Sequence, residues 1–246
     1  MIRLLKVSWI NVKNTAYSKE FLLGIIAAFI YSMLWVLIVH PAKYGLDSYA
    51  FELGRFLYVI MLYVAVSMLR NDIRFNATKT VFTGVFSRIE IMLSKGIGLI
   101  IWGIIFCLIV QINNLLVSCI LYKKIGIAGF LAFNHLQLFM SYIVITFTMG
   151  SLMLLIVSIM FNEKKSILFY IVLFSMINFY TSAIPVFISK NPQLAEKFST
   201  YMKTPFYNVV TLIQGNFDMK SVLINIVWGV IFLIFSILIV NKREIK

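Results

Sequence analysis

An all-α fold that crosses a membrane six times is what this sequence predicts, and three observations carry the prediction. Of its 246 residues, 61% are hydrophobic and 13% charged, whereas a soluble domain has about 45–50% and about 25%. The apolar residues gather into six runs, 21–39, 53–69, 97–119, 136–160, 167–188 and 222–240. At about 1.5 Å per helical residue each can cross a hydrocarbon layer about 30 Å thick. No strand-like alternation appears, and backbone groups in lipid must be satisfied internally, so helices are the economical solution. No repeat, low-complexity tract or flexible linker divides the chain, which predicts one transmembrane domain over residues 1–246.

The first 20 residues carry a helical pattern. Leu5, Trp9, Val12 and Ala16 fall on one face, Arg3, Asn11 and Asn14 lie opposite, and Lys6 and Lys13 flank the apolar stripe. Such a helix lies in the membrane interface with its lysines reaching toward phosphates. The other reading is a charged flank with no fixed structure. The run 21–39 exceeds a signal-peptide core of about 7–15 residues, and no small-residue cleavage site follows it, so it is expected to remain as the first span. Within it Gly24, Ala28 and Ser32 recur every four residues, a small-residue stripe suited to a dimer seam or to close packing inside one chain.

The second run opens on Glu52 and Arg55, three residues apart, which suit an ion pair at the interface or a gate for substrate. Between the second and third runs, 70–96 has a pattern of its own: Phe75, Lys79, Phe82 and Phe86 share a stripe and predict a short helix with an aromatic face. Three water-exposed phenylalanines are unfavourable, each worth about 1.5–3 kcal/mol when buried. Either a docking partner or the chain's own loops must cover them. Deep in later runs the polar residues are neutral: Gln111, Asn113 and Asn114 in the third, Asn178 in the fifth and Asn225 in the sixth. Interhelical hydrogen bonds account for such residues, and a substrate-lining role is the alternative. The segment 189–221 holds Pro192, Pro205 and an apolar stretch, 209–213, too short to span, and predicts a re-entrant or surface helix-turn-helix.

Charge orients the fold. The net charge is +13, and most of the 22 Lys and Arg fall at the N-terminus, in 70–96, at Lys164 and Lys165, and at the C-terminus. By the positive-inside rule both termini are expected in the cytoplasm. The basic residues lie between apolar runs and form no single patch, which argues for a membrane surface and against nucleic acid.

Several chemistries find no residues to carry them. Cys107 and Cys119 share one apolar run and, with only His40 and His135 elsewhere, make neither a disulfide framework nor a metal site. There is no phosphate-binding G-x-x-x-x-G-K-[ST] loop and no H-E-x-x-H or G-x-S-x-G motif. An enzyme is therefore not expected, no cofactor is expected on this chain, and any ATP dependence must come from a partner.

The stretch Thr83-Gly84-Val85-Phe86-Ser87-Arg88-Ile89-Glu90-Ile91-Met92-Leu93-Ser94-Lys95-Gly96, leading into the third run, resembles the loop of ABC-2 type transporter permeases. There a Thr-Gly or similar turn, a short Ser-Arg element and a Leu-x-Lys precede the third helix. The layout is similar too, with an N-terminal interfacial helix, six spans, a helix between spans two and three and a long outer segment between five and six. The resemblance implies the membrane subunit of a bacterial ATP-binding-cassette exporter with the fold of type V exporters. Its partners would be two copies of a separate ATPase, which binds ATP and Mg²⁺, and a second copy or a sibling permease. It places a coupling helix in 72–86, so that Phe75, Lys79, Phe82, Phe86 and Arg88 contact the ATPase. It makes 3–19, with Leu5, Trp9, Val12 and Lys13, the interfacial connecting helix, and 189–221 the outer re-entrant hairpin. In composition the chain is similar to Gram-positive permeases that export amphipathic peptides, such as phenol-soluble modulin exporters and lantibiotic self-protection permeases. The expected cargo is thus an amphipathic peptide or a lipid-like molecule, and Arg55, Asn113, Asn114, Asn178 and Asn225 are candidates for its path or for packing. Two other classes remain: an ATPase-independent immunity protein that sequesters a membrane-active peptide, and a lipid-modifying enzyme that would need a residue such as His135.

Overall fold

The computed structural model describes residues 2–74, 87–160 and 164–242, and among them it is helical with no strand. Six helical stretches are long and apolar enough to cross a membrane: Lys19–Val39, Leu46–Leu69, Arg88–Ile120, His135–Met160, Ile167–Lys190 and Met219–Lys242. The chain is a multi-pass membrane protein by length and composition of these helices.

Helix α1 (Ile2–Ala16) gives way at Tyr17 to α2 (Lys19–Leu34). Ser18 starts the new helix, with extended backbone and a hydroxyl that accepts from the Phe21 amide at 3.3 Å. The small residues of α2 face inward: Ala28 and Ser32 are buried, and a methyl group added to Gly24 would sit 3.3 Å from Ile60 of the next helix. The stripe is thus packing inside one chain. At its far end α2 widens into a π-helical turn, Trp35–Val39. His40 ends it with a left-handed φ of 39° and its Nδ1 at 3.0 Å from the Val36 carbonyl.

Helix α3 (Leu46–Arg74) begins earlier than the apolar run. Asp47, Glu52 and Arg55 depress hydropathy over its first turns, yet the helix continues because Glu52 finds donors within the bundle. Helix α4 (Arg88–Ile120) likewise begins well before residue 97. A capping box explains the start: the Ser87 side chain accepts from the Glu90 amide at 3.2 Å, and the Glu90 carboxylate accepts from the Ser87 amide at 2.8 Å.

A short α5 (Gly126–Ala132) turns the chain into α6 (His135–Met160), the centre of the bundle. Helices α4 and α6 run antiparallel at close range, because a methyl group on Gly103 would lie 2.6 Å from the Ile143 Cα. Their contact is continuous with an aromatic cluster in which the Phe21 ring lies 4.8 Å from Trp102.

The fifth apolar run, expected to be unbroken, is interrupted. Helix α7 (Lys164–Thr181) stops, and α8 (Ile184–Lys190) starts with Pro185 in its first turn. Proline has no amide hydrogen to donate and disfavours helical backbone before it, which breaks the helix. The freed Ser182 carbonyl accepts from Gln214 Nε2 at 3.2 Å.

From there the chain folds back as a hairpin, which brings Gln214 to Ser182. Its first arm, including α9 (Leu194–Lys197), leaves Lys197 and Lys203 exposed. Its second arm is α10 (Pro205–Ile213), with Val209, Val210, Leu212 and Ile213 buried against the bundle. The backbone of this helix is thereby covered by protein on its buried side. The last helix, α11 (Met219–Lys242), starts where the Asp218 carboxylate accepts from the Lys220 and Ser221 amides, each at 3.2 Å.

The spans divide into two groups. In the most apolar window of α3, 78% of residues are buried, with 56% for α4 and 67% for α6. The corresponding shares are 17% for the first span, 17% for the fifth and 22% for the sixth. Helices α3, α4 and α6 form the core, and α2, α7 and α11 turn rows of leucine, isoleucine and phenylalanine outward, as lipid-facing helices do.

Candidate functional site

Two clusters place ionisable side chains inside this apolar bundle, one at each end. At the end that carries α1 and the close of α11, Lys95 is only 1% exposed. Its Nζ donates to the Met68 carbonyl of α3 at 2.6 Å and to Asn11 Oδ1 of α1 at 3.1 Å. Ser8 adds a bond across the same joint, its hydroxyl donating to the Ser94 carbonyl at 2.7 Å. Three helices are thus joined through hydrogen bonds to buried backbone, where each bond is shielded from competing water.

The joint changes the reading of α1. Leu5 and Trp9 are exposed, as an interfacial helix requires, and Lys13 is exposed with its Nζ 6.0 Å from the Tyr17 ring. Val12, expected on the same membrane-facing stripe, is instead buried beside Gly98. Asn11, expected on the charged side, meets Lys95. A surface helix has one apolar face, but this one is divided between lipid and protein, with Ser8, Val12 and Thr15 small enough for close approach.

Arg88 lies at the same end. Its guanidinium donates to the carbonyls of Val240 at 3.3 Å and Asn241 at 3.1 Å, closing the last turn of α11. A cation at a helix C-terminus satisfies carbonyls that have no intrahelical partner and opposes the negative end of the dipole. Phe75, Lys79, Phe82 and Phe86 lie outside the described residues.

At the opposite end, Glu52 is 3% exposed and accepts from Tyr31 at 3.0 Å, Tyr44 at 3.4 Å and Arg55 at 3.5 Å. The expected Glu52–Arg55 ion pair is therefore present, at 3.5 Å, longer than the about 2.7–2.9 Å of a close charge-assisted hydrogen bond. Burial, reinforced by the Glu52 carboxylate, holds the Tyr44 phenol above its ordinary pKa and keeps it a donor. Arg55 is held from its other side by aromatic faces, lying 4.6 Å from the Phe179 ring centroid and 5.4 Å from that of Phe51.

Beside Arg55 a cleft of about 220 Å³ opens between α2, α3 and α7, lined by Tyr31, Arg55, Phe56, Val59, Ser175, Asn178 and Phe179. An adjoining hollow of about 320 Å³ shares Val59, Ser175 and Phe179 and continues over Ile171, Val172 and Met176. Asn178 lines the first cleft, and its Nδ2 is buried with no hydrogen-bond partner among the described residues. Arg55 and Asn178, separately singled out in the sequence, are thus brought to one place.

The other deep amides are not. Asn113 and Asn114 are buried in α4, and neither side chain has a hydrogen-bond partner among the described residues. Asn225 Nδ2 donates to the Ser221 carbonyl at 2.9 Å, and the Asn225 backbone carbonyl accepts from Thr148 at 2.9 Å, tying α11 to α6. His135 Nδ1 is 2.9 Å from Gln111 Oε1 and packs on Phe130 and Phe133. Among the described residues no three His, Cys, Asp or Glu gather as a metal site would require.

Sequence reasoning missed Lys95 as a buried joint and missed Tyr31, Tyr44 and Phe179 around the Glu52–Arg55 pair. A lysine eight residues into a helix that then continues apolar was the available signal for the first. The aromatic partners come from other helices and left none. No family model matches the chain, and no curated protein matches it in sequence.

Proposed function

We propose that this chain is the membrane subunit of an ATP-driven exporter of the ABC-2 permease type. In this reading it works with two copies of a separate ATPase and with a second permease, itself or a sibling, in a bacterial cytoplasmic membrane with both termini inside. It moves an amphipathic peptide or lipid-like cargo outward and performs no chemistry of its own.

The observation that carries this reading is the Lys95 joint. Helices α3 and α4, joined in sequence through the segment with Phe75, Phe82 and Phe86, are bonded to each other and to α1 near the described ends that flank that segment. A push on that segment is delivered to two core spans and the interfacial helix as one rigid element, which is what transmission from an external motor needs. The hairpin folded back between spans five and six and the Ser87–Glu90 capping box at the resembling motif support the same reading.

The test is co-purification with a candidate ATPase from a neighbouring reading frame. The pair should hydrolyse ATP at a rate that depends on the permease, and Phe82→Asp should uncouple it while the six spans still assemble. Normal complex and transport after that change would remove the coupling assignment. Protection against a membrane-active peptide in cells that lack any such ATPase would instead favour the immunity-protein reading.

A further inference from the structure

The cleft beside Arg55 has a polar head and an apolar tail. Along α7, Asn178 and Phe179 lie near the end of the helix, Ser175 one turn deeper and Ile171 and Val172 another turn in, at about 5.4 Å per turn. On α3, Arg55 and Val59 repeat that order. The donors sit toward the interface and the aliphatic walls toward the bilayer middle, which is how an amphiphile lies in a membrane leaflet. The two hollows, of about 220 and about 320 Å³, together fall within the usual span of small-ligand sites, about 300–1,000 Å³.

The head end is rich in donors. Tyr31 gives its hydrogen to Glu52 at 3.0 Å, and Ser175 gives its own to the Ile171 carbonyl at 2.7 Å. What remains is the Asn178 Nδ2, buried with Asn178 only 5% exposed, and most of the guanidinium fork of Arg55. That fork has five N–H donors, and its contact to Glu52 is 3.5 Å, whereas charge-assisted bonds close at about 2.7–2.9 Å. Glu52 has its two tyrosine hydroxyls, so Arg55 can turn part of its fork to another oxygen anion.

We propose that this cleft binds a single-tailed lipid-like amphiphile with an anionic oxygen head: Arg55 and Asn178 hold the head, and Val59, Ile171, Val172 and Met176 take the tail. The proposal deepens the transport reading and rests on it for the purpose of binding, but the site itself needs neither nucleotide nor partner. Phe179, 59% exposed beside Arg55, leaves the trough open sideways to lipid, so the amphiphile enters from the leaflet.

The experiment uses the full chain in nanodiscs of phosphatidylcholine, without nucleotide or ATPase, titrated with lysophosphatidic acid. Saturable binding is expected, weakened about tenfold or more by Arg55→Gln and several-fold by Asn178→Leu, with Arg55→Lys between the two because it keeps the charge but loses the fork. Lysophosphatidylcholine, which has the same tail and no net charge, and glycerol phosphate, the head alone, should each bind at least about tenfold more weakly. Equal binding of either, or unchanged binding in both Arg55→Gln and Asn178→Leu, would overturn the proposal. So would an acidic amphipathic peptide that binds in an Arg55-dependent way where lysophosphatidic acid does not. Asn178→Leu keeps the test decisive if loss of the Glu52 partner harms folding, since Asn178 Nδ2 bonds to nothing among the described residues. A failed titration leaves ATPase stimulation untouched, and a failed ATPase assay leaves this binding intact.

Discussion

Both ends of the bundle bury an ionisable side chain, and they do so in opposite ways. Lys95 reaches into a joint of three helices, where a backbone carbonyl and an asparagine from separate elements receive it. Glu52 gathers three side-chain donors around itself, and one of them, Arg55, also faces an open cleft. The first arrangement fixes backbone to backbone and has little freedom. The second is made of side chains on α2, α3 and the loop between them, and it can rearrange without moving a helix. The difference between the two ends follows from which groups satisfy each buried charge-bearing residue.

The largest loss of stability is expected from Lys95→Glu, which sets a carboxylate against the Met68 carbonyl. We expect a loss of about 3–5 kcal/mol, read as a large drop in the thermal midpoint of the detergent-solubilised chain. Lys95→Met should cost much less, because it removes the buried amine along with its need for acceptors. Equal midpoints for the two variants would mean that the joint is not rigid.

Midway between the ends, Gly103→Val brings new atoms onto the backbone of Ile143, already only 2.6 Å from an added methyl group. A loss of about 1–3 kcal/mol is expected as α4 and α6 are pushed apart. Unchanged stability would show that the core yields as readily as the cleft.

At the Glu52 end, Glu52→Gln should cost about 1 kcal/mol, because Tyr31 and Tyr44 donate to different carboxylate oxygens and the amide oxygen keeps only one of those bonds. Its signature would be a more mobile Arg55, measurable as faster exchange of the guanidinium in labelled protein. The smallest effect belongs to Arg88→Ala, which uncaps α11 and should cost about 0.3–1 kcal/mol, with faster hydrogen exchange confined to the last turn of that helix.

The fold was largely legible in the sequence because lipid imposes a coarse rule: a span must be long, apolar and internally hydrogen-bonded. All six stretches lie where apolar runs stood, although the third starts at Arg88, well before the run that opened at residue 97. The errors have the same physical origin. Hydropathy averages over a window, so it lost the first turns of α3, where Glu52 and Arg55 are satisfied by neighbours, and passed over the break before Pro185, where the surrounding residues stay apolar. The candidate site was legible only in part. Arg55 and Asn178 stood out as polar residues in apolar runs, but they are far apart in sequence, and nothing in either run names the other as its neighbour.

Local chemistry determined the number of spans, the starts of α2 and α4 and the Glu52–Arg55 pair, because each depends on residues within a few positions of one another. Only the packing of the helices decided that Val12 and Asn11 turn into protein, that the Gly24–Ala28–Ser32 stripe closes within one chain, that Arg88 caps α11, and that Tyr31, Arg55, Asn178 and Phe179 share a cleft. A helix shows in sequence which of its faces is apolar, but lipid and another helix are equally apolar neighbours. The choice between them is made by size, shape and the buried hydrogen bonds that distant residues supply.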